Sequence, residues 1–188
     1  LVNGIDCERF SFSPSVREQM RAKLGLQDCF VVGHIGRFSQ QKNHTRLFRI
    51  FKTVLQQKPQ ESLLLCGQGE NFEQSQHEAK ALGIAEMVLF CGNVNRPEDY
   101  LQAMDVFVMT SLFEGLPIVG VEAQASGLPC IFADTITQEV KILPQTQFLA
   151  LTQPDEAWAE RIVQTKPMKR SLAGHCVESA GFAEENLD

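Results

Sequence analysis

The chain has 188 residues, 44% hydrophobic and 21% charged, with a formal net charge of −6 and an isoelectric point near 5.3. That balance fits one soluble globular domain and argues against a nucleic-acid partner, because tracking phosphates needs a basic face. No apolar run reaches the roughly 20 residues that span a bilayer, and the start has no signal-peptide pattern, so a cytoplasmic location is expected, with the inner membrane face open to a full-length protein.

In chain order, the opening without an initiator methionine suggests a piece of a longer protein cut at a linker. Ser15 to Glu18 has the Ser-x-x-Glu spacing of a capping box and predicts a helix running to Gly25. The apolar run at 29–35 predicts a first strand, after which Leu47, Ile50, Phe51, Val54 and Leu55 recur at helical spacing until Pro59. A second strand at 62–66 leads through Gly67-Gln68-Gly69 into a helix that ends at Gly83. A third at 87–91 feeds a short helix opened by Arg96-Pro97-Glu98. Further strands are expected at 105–110, 129–133 and 147–151, then a helix from Pro154-Asp155-Glu156 through Trp158 and Ile162, and a helical stretch over about 169–181. Such runs are strands buried on both faces. Their alternation with helices predicts an α/β fold: a doubly wound, mostly parallel, Rossmann-like sheet of about six strands in one domain.

Ligands of open α/β sheets collect beyond the carboxyl ends of the strands, so the loops there need a chemical reading. After the first strand come Gly36, Arg37 and, five residues later, Lys42, just before a helix. A glycine that allows close approach, two cations and a helix start make a diphosphate clamp; the bland alternative is a solvated basic loop. After the fourth strand come Glu114, Leu116, Pro117 and Ile118, with Glu122 in the second turn of the next helix. Pro117 suits a first helical turn, whose free N–H groups favour a phosphate. Two carboxylates eight residues apart can accept hydrogen bonds from sugar or ribose hydroxyls; the bland alternative leaves both on the surface. The apolar surroundings of Glu122 favour partial burial and a need for partners.

The segments NGID at 3–6, HIGRFSQQKN at 34–43 and EGLPIVGVEAQASGLP at 114–129 resemble the GT4 family of retaining glycosyltransferases, especially its bacterial exopolysaccharide members. The resemblance covers nearly the whole chain and implies the C-terminal, donor-binding half of a two-domain GT-B enzyme. Residues 1–188 then form a single nucleotide-sugar-binding domain, 1–13 a linker remnant, and the N-terminal acceptor domain is absent. It further implies that Arg37 and Lys42 bind the donor diphosphate, Glu114 the transferred sugar and Glu122 the ribose. Backbone N–H groups around Leu116 and Ile118 would meet phosphate, with Gly36 beside it, and backbone atoms of Asn93 and Val94 would meet the base. The implied reaction retains anomeric configuration, with the departing phosphate assisting attack, and needs no metal or other cofactor. The implied donor is a UDP-sugar, and the acceptor a saccharide or lipid-linked saccharide held by the missing domain. The isolated chain is expected not to transfer sugar.

Other residues carry less. The six cysteines lack CxxC spacing and read as reduced small hydrophobes, and no metal-ligand cluster is expected. His34 and His44 flank the phosphate loop but read as structural. Gly67-Gln68-Gly69 imitates a dinucleotide fingerprint with Phe72 in place of the third glycine. Asp105 reads as ending a turn, Trp158 as helix packing, and Asp134, Thr135 and Glu139 as a helix cap or the rim of a sugar pocket. The competing functions are an NAD-dependent oxidoreductase domain and a non-catalytic nucleotide-binding module; the first lacks the glycine fingerprint in its first βα unit.

Overall fold

The computed structural model describes residues 4–166, 169–171 and 173–182. Asn3 of the NGID segment and Leu172 of the last helical stretch lie outside them. The helices are α1 (Cys7–Phe10), α2 (Pro14–Leu24), α3 (His44–Gln57), α4 (Phe72–Ala81), α5 (Pro97–Ala103), α6 (Ile118–Ala125), α7 (Asp155–Val163) and α8 (Ala173–Val177). The strands are β1 (Val31–Ile35), β2 (Ser62–Cys66), β3 (Val88–Phe90), β4 (Val106–Met109), β5 (Cys130–Ala133) and β6 (Gln147–Leu149).

All six expected strands form one parallel sheet, ordered β3-β2-β1-β4-β5-β6. Both faces of the central strands are covered, which is why β2, β4 and β5 are buried at every position and carry no polar alternation. Helices flank the sheet, α3 packing on α7, α2 on α5, and α6 on α1 and α8. In α3 the residues Leu47, Phe48, Ile50, Phe51 and Val54 make the buried stripe, while Leu55 lies at its half-buried margin. The strand order reverses direction between β1 and β4, which sets the loops after those two strands side by side, the place where open α/β sheets collect ligands.

Several local expectations shift. The cap of α2 is Ser13, whose Oγ accepts from the Val16 N–H, and not Ser15, because Pro14 already occupies the first helical position. Pro117 stands at the N-cap of α6, one residue outside the helix. The last helical stretch shortens to α8, followed by an irregular turn in which Gly181 takes φ 87°.

Asp105 stands in the bend that leads into β4, and it does more than end a turn. Its carboxylate accepts from Arg17, Arg21 and the Val31 N–H, tying α2 to the starts of β1 and β4. Trp158 is fully buried, as helix packing requires, and its Nε1 donates to the Ala150 carbonyl at 3.2 Å.

Candidate functional site

The loops that follow β1 and β4 are stitched together by polar contacts. The Asn43 Nδ2 donates to the Thr110 carbonyl and the Thr110 hydroxyl to the Asn43 carbonyl, each at 3.0 Å. The Leu112 N–H reaches the Gln41 carbonyl at 2.8 Å, and the Gln41 Nε2 reaches the Phe113 carbonyl at 3.0 Å. Asn43 takes a left-handed φ of 54°, which asparagine tolerates better than most residues and which turns the chain into α3. At the mouth of this seam the Lys42 ammonium donates to the Glu114 carboxylate. Both side chains are mostly buried, at 17% and 10% exposure, so each charge depends on the other.

A second seam joins the loops after β1 and β2. The Phe38 N–H donates to the Gln68 carbonyl and the Asn71 N–H to the Phe38 carbonyl, both at 3.0 Å. A Cβ on Gly67, which has φ 138°, would sit 2.0 Å from the Gly36 carbonyl oxygen, and one on Gly69 would sit 2.3 Å from the Phe38 oxygen. The glycines of Gly67-Gln68-Gly69 are therefore needed for loop-on-loop packing, and the likeness to a dinucleotide fingerprint has this origin. The Gly67 N–H in turn reaches the Gly92 carbonyl at 2.7 Å, which brings in the loop after β3.

These three loops enclose a cavity of about 430 Å³ lined by Gly36, Arg37, Gly67, Gln68, Asn93, Val94 and Pro97. It gathers four of the residues singled out from sequence: Gly36, Arg37, Asn93 and Val94. Arg37 is largely in solvent and pairs with Glu70 at 3.1 Å. Lys42 and Glu114 meet each other on the β4 side. Leu116 and Ile118 flank Pro117 at the start of α6, which receives no side-chain cap, and Glu122 lies one turn further; none of the three lines that cavity.

Glu122 is half-buried, and burial pushes its carboxyl above the ordinary glutamate range. Arg9 of α1 offsets part of that push and Glu98 adds to it. Glu98 is itself buried at the start of α5 and accepts from the Arg9 Nη2 at 2.9 Å. Sequence reasoning passed over Arg9 and Glu98, since they are 89 residues apart; the signal available was an acid in the first turn of a helix opened by proline. Thr135 donates its hydroxyl to the Ser111 carbonyl at 2.6 Å, while Thr137, and not Asp134 or Glu139, accepts from an N–H as the cap of a short turn.

His34 and His44 lie beneath the β1 loop. Their ring centroids are 5.0 Å apart, and His44 stacks on Phe38 at 4.0 Å. The Nδ1 of His34 bonds the Val108 carbonyl at 2.9 Å, while its Nε2 and both nitrogens of His44 have no hydrogen-bond partner among the described residues. Burial lowers His34 to about 4 and His44 to about 2, so both rings are neutral near pH 7. The six cysteines are free thiols. Among the described residues no group of three or more His, Cys, Asp or Glu is placed to hold a metal ion, and no helix is long and apolar enough to cross a membrane. The arrangement offers a diphosphate two cations, uncapped helical N–H groups and, at its margins, two carboxylates for hydroxyl groups.

A family model described as glycosyl transferases group 1 matches residues 16–170 of the chain. The chain is 39% identical over 193 residues to EpsF of Bacillus subtilis, an alignment covering 100% of this chain and 50% of that protein. It is 33% identical over 164 residues to the Vi polysaccharide biosynthesis protein VipC/TviE of Salmonella typhi, covering 83% and 28%. Among solved structures it is similar to HepE of Anabaena in complex with UDP and glucose, with a TM-score of 0.81 and 23% identity, covering 96% of this chain and 52% of that one. The chain thus spans about half or less of the length of these relatives.

Proposed function

The chain belongs to the glycosyl transferases group 1 family, and from that premise we propose that it binds the nucleotide-sugar donor, a UDP-sugar, of a retaining glycosyltransferase. The acceptor is a saccharide or lipid-linked saccharide of bacterial surface polysaccharide synthesis, held by a domain outside residues 1–188. The observation that carries the reading is that the β1 loop borders both sides: Gly36 and Arg37 line the cavity with Asn93 and Val94, while Lys42, whose Cδ would be 3.6 Å from a Cβ on Gly36, pairs with Glu114 of the loop after β4. The fold shared with HepE, whose complexes contain UDP and glucose, and the relationship to EpsF and VipC/TviE support it.

In this reading the base lies along Asn93 and Val94, the ribose hydroxyls bond Glu122, and the diphosphate meets Arg37, Lys42 and the N–H groups at Leu116 and Ile118. Lys42 has three donors, so it can keep Glu114 while accepting a phosphate oxygen as a further partner. During transfer the bond from anomeric carbon to phosphate oxygen breaks on the face where the acceptor oxygen attacks. The departing phosphate takes the acceptor proton, and the cations stabilise its charge. Holding acceptor and anomeric carbon at attack distance needs a second domain, so the isolated chain binds donor without transferring it.

Calorimetry with UDP and UDP-glucose, with and without EDTA, tests the assignment. Both ligands are expected to bind in EDTA; Glu122→Ala should weaken both, and Glu114→Ala only the sugar-bearing one. No binding of either ligand, or binding abolished by EDTA, would overturn the proposal, and equal losses on plain UDP would overturn the division between the two glutamates.

A further inference from the structure

Beside the strand-end cavity, on the other side of the β1 loop, lies a larger cleft of about 510 Å³ between the starts of α3 and α4. Ser39, Gln40, Asn43, Asn71, Gln74 and Ser75 line it. Both helices begin there, and neither start is capped by a side chain. The Asn43 side chain is turned toward the β4 loop, its Nδ2 donating to the Thr110 carbonyl, and it accepts from no N–H of α3. His44 also lines the cleft, 4% exposed, with neither ring nitrogen partnered among the described residues. Those nitrogens are buried among the rings of Phe38 and His34, so the polar groups open to the cleft are the amides and hydroxyls of its lining.

We propose that this cleft is a second carbohydrate-binding subsite, distinct from the donor pocket, that takes a neutral saccharide. Its volume falls within the range of small-ligand pockets. Its amides and hydroxyls both donate and accept, as sugar hydroxyls do. No arginine or lysine is among the residues lining it, and the one charged group, Glu78, accepts from the Thr45 hydroxyl at 2.8 Å. A carboxylate beside the start of α3 disfavours a free phosphate by charge repulsion and favours hydroxyl donors. Leu112, exposed at the rim, adds an apolar edge against which a pyranose face can rest. The proposal rests on the donor reading only for the kind of ligand: a protein that hands sugars to saccharides has a growing chain to hold near the crevice.

The test uses the 15N-labelled 188-residue chain saturated with UDP, titrated to tens of millimolar with the methyl α-glycosides of glucose, galactose and N-acetylglucosamine. At least one glycoside is expected to shift the amides of Asn43, Thr45, Asn71, Gln74 and Ser75. Gln74→Trp, on the exposed side of α4, should fill the cleft and weaken that binding by about tenfold or more, leaving UDP affinity unchanged. Asn71→Ala, which removes no cap, should weaken it severalfold. Shifts confined to the donor cavity, shifts equal in both variants, a response to inorganic phosphate in place of sugar, or no response to any glycoside would each overturn the proposal. The amides of Gly36, Asn93 and Val94 report UDP separately, so loss of UDP binding with the cleft response intact would count against the donor reading and not against this one.

Discussion

At the amino ends of the strands, guanidinium groups are filled with partners. Arg170 is buried and donates to the carbonyls of Leu101, Gln102, Met104 and Ser126; Arg17 and Arg21 add Gln102, Ala103, Met104 and both oxygens of Asp105. At the carboxyl ends the accounts stay open. Arg37 reaches only the exposed Glu70, α6 starts without a side-chain cap, and His34 and His44 leave ring nitrogens unmatched among the described residues. The same residue types are structural at one end of the sheet and available at the other. What separates them is whether their hydrogen-bonding capacity is used up inside the chain.

The sharpest way to break the comparison is Asp105→Ala, which removes the one carboxylate between two arginines and the acceptor of the Val31 N–H. A loss of about 3–5 kcal/mol is expected, the range for removing one partner of a buried pair. Urea unfolding would measure it, and the folded fraction should keep its affinity for UDP. A stability change under about 1 kcal/mol would assign this cluster the small worth of surface ion pairs.

Acid titration probes the open end. His34 and His44 are held below the ordinary histidine range, so below pH 6.5 the unfolded chain takes up protons that the folded chain refuses. Stability is therefore full above pH 6.5 and falls as the pH drops toward 4, by about 3 kcal/mol for each ring at pH 4. Unfolding curves at pH 7 and pH 4.5, compared with His44→Phe, would show it: the variant should lose much of the pH dependence, and equal dependence in both proteins would contradict the burial of a neutral ring.

A smaller effect divides the two cations. Lys42→Ala should weaken UDP by about 1.5–3 kcal/mol, the range for hydrogen bonds to charged groups. Because it also strands Glu114, the double variant Lys42→Ala/Glu114→Gln is the fair reference for folding. Arg37→Ala, a solvated side chain with a competing partner, should fall at the bottom of that range or below it. Calorimetry that ranks Arg37 above Lys42 would reverse the order argued from burial.

The strands were legible because burial on both faces leaves short apolar runs that few other structures produce, and the α3 stripe because it repeats at helical spacing. Local chemistry was read less well where a neighbour changes the assignment: Pro14 moves the α2 cap from Ser15 to Ser13. Pairings between distant segments were not legible at all. Nothing near Asp105 announces Arg17 and Arg21, some 84–88 residues before it, and nothing near Lys42 announces Glu114. The glycines at 67 and 69 were visible, but their reason lay in the backbone of Gly36 and Phe38, which only the folded chain brings to them.

Those glycines also bear on rates. A side chain at either position would run into main-chain atoms, so the loops after β1 and β2 pack backbone on backbone, joined by the hydrogen bonds between Phe38 and Gln68 and between Asn71 and Phe38. A floor assembled in advance loses little conformational entropy on binding. If the proposed donor site lies on this floor, capture of a nucleotide is a matter of diffusion and escape, and differences among nucleotides are expected in how long each stays and hardly in how fast it arrives.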